Sequence, residues 1–142
     1  SRSDSATSSL IQCLLECDES HRDVKRAADT LSRIDVSSVS SPDLHCTAAI
    51  AAYFNGEGTA AQSIRTAMAN RRFPNGVDDA VLGCILANGD SADVAQAELQ
   101  LERARNIHLT CSGNRRLCWW VAELERLLKP NGLTADQLIK SE

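Results

Sequence analysis

No stretch of this sequence alternates apolar and polar residues as a half-buried strand requires, and its β-branched residues are scattered. The apolar residues recur instead at three- and four-residue spacing, in pieces bounded by helix start and stop signals. A chain of this kind builds its core by packing helices on helices. The cleanest piece runs from Cys111 to Leu128, CSGNRRLCWWVAELERLL. Leu117, Trp120, Val121, Leu124, Leu127 and Leu128 share one helix face, Asn114 stands where an N-cap would, and Pro130 and Gly132 close the far end. The pattern predicts an apolar spine against which smaller helices pack.

The remaining pieces are shorter. Residues 5–17 bring Leu10, Ile11, Leu14 and Leu15 together, with Cys13 and Cys17 one turn apart. Ser20 opens a second helix with Asp23 as a capping-box acid, and Val24, Ala27, Ala28, Leu31 and Ile34 lie inward. Ser41-Pro42-Asp43 combines a cap, a first-turn proline and an early acid, and that helix runs to a stop at Asn55-Gly56. Thr59 to Gln62 is a second capping box, ahead of Ile64, Ala67 and Met68. A fifth helix uses Val77, Val81, Cys84, Ile85 and Leu86. A sixth starts at Ser91 with Val94, Ala97, Leu101 and Ala104, and Thr134 to Gln137 caps a short terminal one. Residues 1–9 are polar and read as a flexible N-terminal segment, with residues 10–142 a single helical domain. The expected fold is all-α, a compact disulfide-stapled bundle of about seven or eight short helices.

Composition bears mainly on compartment and partners. The chain of 142 residues carries six cysteines, an even number and well above common usage, which reads as a secreted protein with three disulfides. A local Cys111–Cys118 bridge is expected, leaving Cys13 and Cys17 to take Cys46 and Cys84 in either order. A formal net charge of -4 argues against nucleic acid or an anionic membrane as the main partner. No apolar run approaches the ~20 residues that span a bilayer.

Chemistry-bearing motifs are absent: the sequence has no nucleophile elbow, phosphate loop, HExxH or EF-hand pattern. His21, His45 and His108 are scattered, without a carboxylate or cysteine at a ligand spacing. The expectation is therefore a protein that is not an enzyme and takes no metal or cofactor. Recognition is the remaining possibility. Trp119 is turned by about 100° from Trp120, toward Glu123 and Arg126, and tryptophan is favoured in interface hot spots. Arg115-Arg116, and Arg71-Arg72 with Phe73 beside them, are basic pairs suited to carboxylates. These six residues, Trp119, Arg115, Arg116, Arg71, Arg72 and Phe73, form the expected partner-binding set. The leading expectation is a secreted inhibitor, effector or signalling protein that binds another protein.

The alternative is a carrier of a small apolar ligand. In helix number and in its six cysteines, with Cys13-x3-Cys17 among them, the chain loosely resembles the arthropod odorant-binding proteins. That resemblance implies a helical cage around an apolar ligand. The spacing departs from the family's: its Cys-x3-Cys pair is the second and third cysteine, whereas Cys13 and Cys17 are the first two here. Alanines at 27, 28, 48, 51, 52, 60, 61, 67, 97 and 104 draw helix axes together, which leaves little space for a ligand.

Overall fold

A computed structural model describes residues 2–17, 19–36, 41–88, 93–110 and 114–128, and all the regular structure among them is helical. The helices are α1 (Arg2–Leu15), α2 (Val24–Leu31), α3 (Pro42–Phe54), α4 (Ala60–Asn70), α5 (Gly76–Ala87), α6 (Val94–Thr110) and α7 (Arg115–Leu128), with a single 3-10 turn at Glu19–His21. The chain divides into two compact units, Ser1–Pro74 and Asn75–Glu142.

In the first unit α3 is central. Every residue from Leu44 to Ala52 is buried, and α1, α2 and α4 pack on it. Its start follows the sequence signals, with Ser41 at the cap and Pro42 in the first turn, though the Ser41 side chain makes no capping bond. Its end needs Gly56, whose φ of 70° lies in the left-handed region where a Cβ is costly.

Residues 2–9 are not a loose tail: α1 begins at Arg2. Ser8 is buried, and its Oγ lies 2.6 Å from Thr47 Oγ1 on α3, so a hydroxyl pair anchors what composition alone made look like a polar end. The second helix is capped by Asp23 and not by Ser20; Asp23 Oδ1 accepts from the Arg26 amide at 3.0 Å. The preceding Arg22 donates to the carbonyls of Leu15 (2.9 Å) and Cys17 (3.2 Å) and sits 4.1 Å above the Phe54 ring. One guanidinium thus satisfies carbonyls where α1 ends and holds the end of α3 by a cation–π contact. At α4 the expected capping box does not form: Thr59 has helical backbone angles and its side chain makes no cap bond.

In the second unit α5 is central, buried at every residue from Gly76 to Cys84, with α6 and α7 packed on it. Asn75 caps it, accepting from the Val77 amide at 2.9 Å. Two glycines set its spacing to α7. A Cβ on Gly76 would stand 2.8 Å from Leu117, and one on Gly83 would collide with Leu124. Gly76 and Gly83 lie two turns apart, as do Leu117 and Leu124, so α5 and α7 run parallel with leucines seated in glycine notches. The same two Cβ positions also meet α6, Ile107 at Gly76 and Gln100 at Gly83, which makes α5 and α6 antiparallel. Asp93 begins α6, accepting from the Gln96 amide at 3.1 Å. Ser91, Pro130, Gly132 and the terminal helix expected at Thr134 lie outside the described residues.

Two sequence expectations change here. The helix buried all round in this unit is α5, whereas α7 buries one face only. And no disulfide joins any two of Cys13, Cys17, Cys46, Cys84 and Cys118; Cys111 lies outside the described residues. The physical reason is placement. Cys46 on α3 and Cys84 on α5 are at most 1% exposed and fill the cores of different units as small apolar side chains, while Cys13 is exposed.

Candidate functional site

The face of α7 follows from its start. Asn114 Oδ1 accepts from the Leu117 amide at 3.0 Å, which fixes the first turn and the rotation of all that follows. Leu117, Trp120, Val121 and Leu124 are buried, and Leu127 and Leu128 half-buried, as their spacing predicts. Trp119 is half-buried and meets Trp120 edge to face, with ring centroids 4.8 Å apart. On this flank the exposed Arg115 is one turn before Trp119, Arg116 is half-buried, and Glu123, one turn on, pairs with Arg126. Glu125 reaches Arg105 on α6 at 3.3 Å. Such exposed pairs contribute little to stability; the Arg126 pair neutralises Glu123, the acid one turn on from the tryptophan. Arg115, Arg116 and Trp119 are thus brought together on one flank of the second unit.

The other three candidates belong to the first unit, in the loop after α4. Arg71 is committed to structure: its Nη1 lies 2.6 Å from Asp43 Oδ1 on α3. Arg72 is exposed, and Phe73 is 75% exposed, the most open large apolar side chain among the described residues. These residues belong to the first unit and the Trp119 flank to the second.

The groups most perturbed electrostatically lie elsewhere. Asp78 and Asp79 in the first turn of α5 are 1% and 6% exposed, and Gln100 on α6 is 4% exposed. Burial pushes the Asp79 carboxyl up to about 6; Arg103 opposes this and Asp78 reinforces it. In sequence the two aspartates look like ordinary acids of a helix start. The clue that could have separated them is their setting in a run otherwise apolar, Val77 and then Ala80 to Leu82. The Cys84 thiol is pushed far above its usual range by burial, with Glu123 adding to the effect and Arg126 opposing it, which leaves it an inert core group. Cys13 is exposed, and Cys17 donates to the Leu14 carbonyl at 3.6 Å.

His21 is exposed on the 3-10 turn with its Nδ1 3.2 Å from Ser20 Oγ, and His45 is buried on α3; the side chain of His108 lies outside the described set. Among the described residues no three of the His, Cys, Asp and Glu side chains converge as a metal set, and no helix is long and apolar enough to cross a membrane. No family model, curated protein or solved structure matches the chain.

Proposed function

We propose that this chain acts by binding another protein through the outer flank of α7. The observation that carries the reading is Trp119: a large ring left half open on a helix whose other tryptophan is fully buried, with Arg115 and Arg116 at its side. A ring backed by Trp120 is held in place before binding, so little side-chain freedom is lost on contact, and arginines beside it pair with carboxylates. The partner surface this suits offers an apolar pocket with acidic neighbours. Arg72 and Phe73 are a second, independent contact of the same kind on the first unit.

The carrier alternative loses ground on packing. Leu117 and Leu124 occupy the space that side chains at 76 and 83 would take, so the α5–α7 seam is filled from within and leaves no room for a ligand. An extracellular site of action belongs to the proposal on the strength of the even cysteine count alone. Recovery of the protein from the medium of the cells that make it supports that part, and its retention inside them removes it.

The test of the main reading is native mass spectrometry of protein from its own source, with and without Trp119→Ala. A stoichiometric protein partner lost from the variant supports the proposal. A co-purifying apolar molecule, retained by the variant, supports the carrier instead.

A further inference from the structure

Asparagine followed by glycine occurs four times in the sequence, at positions 55, 75, 88 and 131. The dipeptide has chemistry of its own. Glycine carries no side chain to shield its amide, so that nitrogen can reach the carboxamide of the asparagine before it. Asn55–Gly56 and Asn75–Gly76 are the pairs with both residues described, and the fold treats them differently. Asn55 and Gly56 are exposed where α3 ends, and the Asn55 side chain makes no hydrogen bond to a described residue. Nothing lies within 4 Å of the Cβ position of Gly56, and its amide donates to the Tyr53 carbonyl at 3.2 Å. Asn75 is held far more tightly. Its Oδ1 accepts from the Val77 amide at 2.9 Å, and Gly76 is buried where a Cβ would stand 2.8 Å from Leu117.

We propose that Asn55–Gly56 is a self-modifying site, at which the folded protein deamidates spontaneously while Asn75–Gly76 is spared. The Gly56 amide nitrogen loses its proton to solvent and attacks Asn55 Cγ, forming an N–Cγ bond. The Cγ–Nδ2 bond then breaks, and Nδ2 takes up a proton and leaves as ammonia, which leaves a succinimide ring. Water opens that ring at one carbonyl or the other, to give aspartate or isoaspartate at position 55. No oxidant or reductant enters. Attack requires the peptide joining the two residues to rotate. At Asn55 the rotation gives up the Gly56 bond and the neighbouring one from the Glu57 amide to the Ala52 carbonyl (2.8 Å), at an exposed helix end that opens at low cost. At Asn75 it undoes the α5 cap and moves Gly76 within a seam closed by Leu117 and Ile107. The product is not neutral for the fold. It puts a carboxylate at the negative end of the α3 dipole, two residues from Glu57. The isoaspartate form also inserts a methylene into the backbone just before Gly56, whose φ of 70° completes the turn. Because α3 is the centre of the first unit, the site acts as a clock that loosens this unit as the molecule ages.

The test is peptide mapping by mass spectrometry of the full chain aged in mildly alkaline buffer, with isoaspartate read by enzymatic methylation. In native protein Asn55 should convert at least about tenfold faster than Asn75, because opening costs run from near zero at frayed ends to the global value in a core. In denaturant the two should convert at similar rates. Asn55→Gln should stay intact, because its longer side chain closes the ring far more slowly. Its melting temperature should hold on ageing while that of the parent chain falls, and a fall shared by both would overturn the clock. Equal conversion of Asn55 and Asn75 in native protein overturns the site, as does an Asn55 that outlasts Asn75. So does an Asn75 that stays slow in denaturant, since its protection would then come from local sequence and not from the fold. The mapping uses the parent chain throughout, so it stands even if Asn55→Gln does not fold.

Discussion

Two adjacent tryptophans on α7 have different fates because a helix turns each residue by about 100° from the last. Trp120 is 0% exposed, and Trp120→Ala leaves a void where a large ring was, which should cost ~3–5 kcal/mol in denaturant titration. Trp119→Ala should cost under ~1 kcal/mol, because the ring is half open, yet should weaken partner binding by ~2 kcal/mol or more. Equal, large stability losses would place both rings in the core and remove the surface argument with them. This contrast was legible in the sequence, since Leu117, Val121 and Leu124 fix which side faces in. The burial of Asp79 was not. An acid in a first turn is ordinary for a helix dipole, and only the covering of that turn by neighbouring side chains turns it into a strained group.

Helix ends show how far punctuation can be read. Asp23, Asn75 and Asn114 accept from backbone amides as caps should, whereas Ser41 and Thr59 stand at helix starts with no such bond. Asn114→Ala should therefore destabilise by ~1 kcal/mol, while Thr59→Ala should change stability by only a few tenths, a difference that thermal melts of the two variants resolve. The sequence marks where a helix can begin; whether the side chain turns inward to cap depends on backbone angles it does not display. Glycines sort in the same way. Gly58 has nothing within 4 Å of its Cβ position, so Gly58→Ala should be near neutral. Gly83→Ala drives a methyl into Leu124 and should cost ~1–3 kcal/mol by overpacking. If both alanine variants melted alike, the notch would not exist.

Across the whole molecule, the two helices buried all round are the ones periodicity had least power to pick out. A stripe of apolar residues marks a helix with one wet side, but α3 from Leu44 to Ala52 and α5 from Gly76 to Cys84 have none, so they carry no stripe. The helical class, most helix boundaries and the inner face of α7 were readable; which helix stands at the centre was decided by packing. Amide exchange should find the slowest protons of each unit in the middle turns of α3 and α5, slower than those of the outward-facing α2. The glycine notches also have a kinetic consequence. Neighbours in sequence, α5 and α6 close as a hairpin across a short connection, whereas α7 runs parallel to α5 and meets it only after α6 has folded back. The leucines would then enter their notches late, after the main barrier. A methyl added at Gly83 should accordingly leave the refolding rate almost unchanged and speed the unfolding rate, so that the seam governs how long the unit stays folded and has little bearing on how fast it forms.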